Sequence, residues 1–294
     1  MRDITLTGSF VAIVTPFRQH ELDLPALRQL VERLIDAGTD GLVPCGTTGE
    51  SVTLSETERE LVVRTVLEVN RGRVPVIVGT GSNDTQRSIE ATRRAKELGA
   101  DAALVVTPYY NKPNQEGIFR HFEAIAAAVD FPLVAYNVPG RTCCRIELST
   151  LARLDTIPNV IATKDATGEL AFASETLMKA PGLRLLSGDD ATSFPFMMLG
   201  GHGVISVVAN VAPKMMADMC RACREGELET ARRLHFALMP LSKGLFCDTN
   251  PIPVKALLHL QGLIANELRL PLLPMSGAAL ERFAAELGPL SQWS

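Results

Sequence analysis

The stretch AALVVTPYYNKPNQEGIFRHFEAIAAAVDFPLVAYNVPGRT, residues 102–142, decides the fold. It opens on the apolar, β-branched run Ala102–Val106 and passes through Thr107-Pro108-Tyr109-Tyr110-Asn111-Lys112-Pro113. Ile118, Phe122, Ile125 and Val129 then step by four, three and four, which lines one face of a helix. A second apolar run, Leu133–Tyr136, comes next and leads into Asn137-Val138-Pro139-Gly140-Arg141-Thr142. Both runs are apolar at successive positions, hence on both faces, as suits parallel strands covered on both sides.

The same alternation extends in both directions. Short apolar runs stand at Val11–Val14, Leu42–Val43 and Val74–Val78 on one side, and at Val160–Thr163, Leu183–Leu186 and Val204–Val208 on the other. Helical patterns lie between them. Leu27, Leu30, Val31, Leu34 and Ile35 share one face, with Gly38 placed to end that helix. Ser55-Glu56-Thr57-Glu58 has capping-box spacing ahead of Leu61–Val69, and Asp84 can cap a helix that ends near Leu98-Gly99. Weaker helical patterns follow Arg145, Gly168 and Asp190. About eight strand–helix alternations in roughly 220 residues match a closed α/β barrel of the (β/α)8, or TIM, class. A doubly wound open sheet is the structural rival, but no G-x-G-x-x-G follows the first strand. Strand signals stop after Gly226, where Glu227–Leu241, Pro253–Leu263 and Gly277–Leu287 read as helices. The expected organisation is therefore a barrel over residues 1–226 and a C-terminal helical extension over 227–294, with no linker between them.

Composition excludes several classes. The chain has 294 residues, 46% of them hydrophobic, and a formal net charge of −4. Such a chain has no bulk attraction to nucleic acid or anionic membranes. Charges or Gly/Pro interrupt every apolar run below membrane-spanning length, and Met1–Phe17 does not read as a signal peptide, so a cytoplasmic protein is expected. Of six cysteines, Cys220 and Cys223 have C-x-x-C spacing, but inside a helical pattern and without a second ligand pair. The five histidines are scattered, and no metal site is expected.

In such barrels chemistry gathers at the C-terminal ends of strands. Gly46-Thr47-Thr48-Gly49-Glu50-Ser51 follows the second strand, with glycines for close backbone approach and two hydroxyls for a carboxylate. Two of three tyrosines, Tyr109 and Tyr110, follow the fourth strand, and the third, Tyr136, ends the fifth. A phenol can carry protons, or merely pack at a rim. Arg141, in a Pro-Gly turn, can fork onto a carboxylate or make a surface ion pair. Lys164 ends the apolar sixth strand, Val160-Ile161-Ala162-Thr163-Lys164. Burial there favours the neutral amine, the nucleophile for a ketone; the alternative is a lysine snorkelling at a strand edge. Ser187-Gly188-Asp189-Asp190 ends the seventh strand, where the aspartates can cap the next helix. Gly203 opens the eighth with room for close approach.

Taken in order, GTTGES, TPYYNKP, YNVPGRT and the strand-ending lysine resemble the dihydrodipicolinate synthase family, of the pyruvate-dependent superfamily that includes N-acetylneuraminate lyase. The resemblance runs from Val14-Thr15-Pro16-Phe17 through Asn250-Pro251-Ile252-Pro253-Val254-Lys255 into the C-terminal helices. It implies condensation of pyruvate with L-aspartate 4-semialdehyde, for lysine and diaminopimelate biosynthesis. Lys164 would form the Schiff base. Tyr136 would act as general acid/base, with Thr47 and with Tyr110 from a neighbouring subunit completing a proton relay. Thr48 would hold the pyruvate carboxylate and Arg141 that of the semialdehyde, while Gly188 and Ile205 line the pocket. The resemblance also implies a homotetramer built as a dimer of dimers, and no cofactor beyond the covalent imine. In members inhibited by lysine, the positions of Ser51, Val52, Glu56, Arg59, Asn83, Arg87 and Tyr109 form a polar pocket. Arginine stands at 59 and 87 in place of the histidine and glutamate usual there, and the cation at Arg87 repels an ammonium, which implies weak or absent inhibition. Cys143 and Cys144 are unfamiliar in that pattern and read as small packing residues. The rival readings are another lyase of the superfamily, for N-acetylneuraminate or a 2-keto-3-deoxy sugar acid, and a non-catalytic sensor of a small acid. Arg141 speaks against the first, and the lysine–phenol pair against the second.

Overall fold

The computed structural model describes residues 4–289 and 293. The chain divides into two compact units. One comprises the segment up to Gly8 and Pro75–Ile205; the other comprises Ser9–Val74 and the chain from Ser206 onward. Among the described residues eight strands pair in parallel. They are β1 (Gly8–Val11), β2 (Gly41–Leu42), β3 (Ile77–Gly79), β4 (Ala102–Val106), β5 (Leu133–Asn137), β6 (Val160–Asp165), β7 (Arg184–Ser187) and β8 (Gly203–Ser206).

In the first unit, β3 to β8 lie side by side in chain order. A helix separates each successive pair: Thr85–Leu98, Gln115–Ala128, Leu148–Leu154, Leu170–Lys179 and Ser193–Met198. That is the crossover a parallel pair requires. Local sequence sets the ends of these helices. Asp84 accepts the N–H groups of Gln86 and Arg87, and Asn114 accepts that of Gly117. Gly99, at φ +95°, closes the helix that Asp84 opens. The strands are buried on both faces, as their unbroken apolar runs require; Leu133, Val134 and Ala135 have no exposed surface.

In the second unit, β1 pairs with β2 through Phe10↔Gly41 and Val11↔Leu42. Helices Leu24–Asp36 and Glu56–Asn70 come next, capped by Asp23 and by the expected Ser55–Glu58 box. Helices Pro213–Glu225, Leu228–Gly244, Ile252–Leu260 and Gly277–Leu287 complete it, and the last three lie where the sequence placed helices. Cys220 and Cys223 stand inside the first of these four, in no disulfide. Burial pushes the Cys223 thiol up to about 11, which disfavours the reactive thiolate.

The largest differences from the sequence reading fall on two strands, the other strand ends lying within two residues of it. The first strand occupies Gly8–Val11 rather than Val11–Val14. Ala12 and Ile13 still donate to the carbonyls of Ser206 and Val43, but the Val14 N–H turns to the Asn210 side chain at 3.1 Å, which ends the ladder. The third begins at Ile77 rather than Val74. Pro75 has no N–H, and the Val76 N–H goes to the Asp101 carboxylate at 2.9 Å. No helix among the described residues is long and apolar enough to cross a membrane.

Gly203 confirms its expected close approach. A Cβ there would lie 2.1 Å from the Gly8 carbonyl oxygen and 2.6 Å from its nitrogen. Since neither backbone can yield cheaply, Gly203→Ala should destabilise the chain by about 3 kcal/mol or more, read from chemical denaturation. A loss below about 1 kcal/mol would mean that the two strands separate easily.

Candidate active site

Register alone aligns the key residues. Val106, Tyr136, Lys164, Leu186 and Gly203 are direct partners in turn across β4 to β8. Directly opposed residues share a face of the sheet, so the phenol and the amine project to the same side. Lys164 is 6% exposed, which replaces the snorkelling alternative with a buried side chain. Its Nζ lies 4.2 Å from the centroid of the buried Tyr136 ring.

The neighbouring chain leaves room for that side chain. A Cβ at Gly188 would come within 2.9 Å of Lys164 Cε and 2.7 Å of Ala166 Cβ. Only glycine therefore lets the end of β7 pass beside the lysine stem, and its N–H donates to the Asp165 carbonyl at 2.6 Å. Burial pushes the Asp165 carboxyl above the usual carboxylate range, opposed by hydrogen bonds from the Thr167 N–H and hydroxyl. Tyr136 is held through its backbone: its carbonyl accepts the Thr107 N–H at 2.9 Å and the Thr107 hydroxyl at 2.8 Å.

Asn137, which the sequence reading passed over, organises the chain just beyond β5. It is fully buried, accepts the Ile146 N–H at 3.0 Å and donates to the Ile146 carbonyl at 3.2 Å. Residues 138–145 are thereby tied at both ends. Within them Arg141 sits, exposed, on the one-turn helix Pro139–Thr142, where a simple turn was expected. Cys144 is buried as a packing residue, but Cys143 is exposed and ends the turn at φ +53°. After β4, Tyr110 stands 89% exposed at φ +74°. Asn111 anchors that loop by donating to the Asn83 carbonyl at 2.9 Å. Asp189 Oδ1 accepts the N–H of Thr192, but Thr192 is itself the N-cap of the next helix and no side chain caps that helix, so the expected aspartate cap is not formed. The first unit thus brings Lys164, Tyr136 and Gly188 together. It places Ile205 buried in β8, Arg141 exposed on its one-turn helix and Tyr110 exposed in the loop after β4.

Thr47 and Thr48 belong to the second unit, in the turn after β2. The buried Thr48 hydroxyl accepts the Asn250 Nδ2–H at 3.0 Å. Glu50, buried and left-handed at φ +51°, receives Lys255 Nζ at 2.6 Å and the Arg269 N–H at 3.0 Å. Lys255 has no exposed surface; its Nζ also donates to the Thr15 carbonyl at 2.9 Å and lies 4.3 Å from the Phe17 ring centroid. Burial pushes the Lys255 ammonium below the usual lysine range, and the Glu50 carboxylate opposes that shift. Arg269 forks onto Glu58 and donates to the Thr53 carbonyl at 2.9 Å. Arg59 donates to the Ser51 carbonyl at 3.2 Å, and the exposed Arg87 lies 3.8 Å from Asp84.

Residues 5–288 match the model of the dihydrodipicolinate synthetase family. A protein of Nitratidesulfovibrio vulgaris (strain DP4), named 4-hydroxy-tetrahydrodipicolinate synthase, is 54% identical over 92% of this chain and 93% of its own. A solved dihydrodipicolinate synthase from Thermotoga maritima superposes with a TM-score of 0.95 at 43% identity, covering 98% of this chain and 99% of that one. A structure described as the first monomeric dihydrodipicolinate synthase variant has a TM-score of 0.93 at 43% identity, with 97% of each chain covered. The fold is accordingly a (β/α)8 barrel with C-terminal helices, as the strand–helix alternation led one to expect.

The Arg269–Glu58 pair makes a pH-dependent contribution. Its hydrogen bond holds the Glu58 carboxyl at about 2, against the ordinary 4.5. A carboxyl with a lower pKa folded than unfolded stabilises the folded chain above the unfolded value. That contribution is lost as pH falls from 4.5 toward about 2. Melting temperatures of the parent chain and Glu58→Gln should therefore differ near pH 7 and converge as the medium is acidified through that window. A difference that persists undiminished in strong acid would contradict the assignment.

Proposed function

The chain belongs to the dihydrodipicolinate synthetase family, and from that premise we propose that it condenses pyruvate with L-aspartate 4-semialdehyde through an imine on Lys164. This is the 4-hydroxy-tetrahydrodipicolinate synthase reaction of lysine and diaminopimelate biosynthesis. The observation that carries the reading is the buried Lys164 amine, 4.2 Å from the Tyr136 ring centroid in the row shared by their strands.

The chemistry is set by the properties of an imine. The neutral Lys164 amine adds to the pyruvate ketone, and water leaves. The protonated imine then accepts the electron pair released when the neighbouring methyl loses a proton, which makes that carbon an enamine nucleophile. The enamine attacks the aldehyde carbon and forms the new C–C bond. The amine of the product closes onto the imine carbon and displaces Lys164, so the enzyme returns unchanged without a separate cofactor. Tyr136 moves the protons, supported by Thr47 and by Tyr110 of a neighbouring subunit. Thr48 holds the pyruvate carboxylate and Arg141 the second carboxylate, positioning both reactants for attack. Gly188 and Ile205 line the pocket.

The same reading makes the protein a cytoplasmic homotetramer, with residues 1–226 as the barrel and 227–294 as its extension. Tyr110 supports the assembly: a tyrosine 89% exposed in the single chain is suited to burial against another copy.

A coupled turnover assay tests the function. With pyruvate, aspartate semialdehyde should be consumed far faster than aldehydes derived from sugars, and Tyr136→Phe should lower kcat by about 10²–10⁴. Preference for a sugar-derived aldehyde would move the protein to another branch of the superfamily. Lysine at sub-millimolar concentration should leave the rate above half its uninhibited value, since Arg59 and Arg87 oppose an ammonium. Half-maximal inhibition in that range would refute the role given to the two arginines.

A further inference from the structure

The Asn250-Pro251-Ile252-Pro253-Val254-Lys255 segment contains two buried polar residues with no part in the chemistry above, and both reach the Gly46–Ser51 turn. Lys255 stands in a helix, Ile252–Leu260, whose residues from Ile252 to Leu258 are all buried. An ammonium there is costly unless a partner takes its charge. Glu50 is that partner, and Glu50 is also the hinge of the turn. Its N–H donates to the Thr47 carbonyl at 3.1 Å, its carbonyl accepts the Thr53 N–H at 3.1 Å, and its backbone is left-handed without being glycine. A conformation of that kind persists only where the surroundings hold it. Here the side chain supplies the hold, clamped by Lys255 Nζ on one oxygen and the Arg269 N–H on the other. Lys255 fixes the opposite wall as well, through the Thr15 carbonyl, while the Thr15 hydroxyl donates to the Gly49 carbonyl at 2.8 Å. Asn250, at the start of the same segment, aims its amide at the Thr48 hydroxyl.

We propose that Asn250 and Lys255 are positioning residues for the threonine turn: Lys255 sets its backbone through Glu50, and Asn250 orients the Thr48 hydroxyl. The donated hydrogen bond occupies one lone pair of Thr48 and directs the hydroxyl proton away from Asn250, so that Thr48 presents a donor to an anion. This inference rests on the ligand role given above to Thr48, and it also makes a claim about the turn that holds whatever the substrate.

Amide hydrogen exchange and kinetics test the two parts separately. In Lys255→Met, the amides of Gly46–Ser51 should exchange about tenfold faster or more, while those of Ala102–Val106 keep their protection. Unchanged exchange in the turn would overturn the role of Lys255. Because an unpaired Glu50 can compromise folding, the double variant Glu50→Gln/Lys255→Met serves as the folded control. It should melt near the parent temperature yet show the same loosened turn; full protection in it would equally overturn the claim.

For Asn250, the readout is a double-mutant cycle on kcat/KM for pyruvate. Asn250→Ala should cost about tenfold, and adding it to Thr48→Val should cost little more, because its effect passes through the hydroxyl already removed. Full additivity of the two losses would show Asn250 acting elsewhere. Absence of turnover in the parent enzyme would sink the functional reading instead; exchange at the Thr48 and Gly49 amides in Asn250→Ala then decides the positioning claim, with no change counting against it.

Discussion

One constraint governs the first unit: an amine must end an apolar strand without escaping to water. Lys164 meets it because its neighbours are arranged around it. Tyr136 stands directly opposite in β5 and offers its ring face to Nζ. Gly188 withdraws its side chain from the end of β7, where any Cβ would strike the lysine stem. The parallel sheet supplies the rest. Hydrogen-bonded register turns positions far apart in the chain into a row, and a row on one face can hold an amine beside a phenol without any loop having to find them.

A second constraint acts in the other unit, where a short polar turn must keep one shape. Two glycines leave the Gly46–Ser51 turn loose, and its left-handed residue is Glu50 rather than either glycine. Glu50, Lys255 and Asn250 take up that slack across a long stretch of chain, with a sequence separation of 205 for the buried ion pair. Buried charge of this kind contributes little net stability, since desolvation offsets much of the attraction. Its value lies in geometry, because a carboxylate held by an ammonium and a backbone N–H has few alternative positions.

Much of this was legible in the sequence, for physical reasons that also mark its limits. Parallel strands announce themselves as unbroken apolar runs, so β4 was read to the residue, and β5 to within one. Capping at Ser55 and Asp84 is local and was read correctly. The start of β3 and the end of β1 were misplaced because distant side chains, Asp101 and Asn210, take the backbone N–H groups that would have extended the ladder. Lys164 stood out as a charge ending an apolar strand. Lys255, equally a charge in an apolar helix, carries the same signal, but its partner is 205 residues away and nothing local points to it. Asn137 gave no signal at all, because an asparagine after a strand is ordinary until Ile146 is known to lie against it.

The most direct test of the account is chemical. Incubation with pyruvate and borohydride should reduce the imine to a stable adduct, found by peptide mass spectrometry on the fragment that contains Lys164. One adduct per chain is expected, at Lys164 and absent from Lys164→Arg. A chain that stays unlabelled at saturating pyruvate, or one labelled at another lysine, would contradict it.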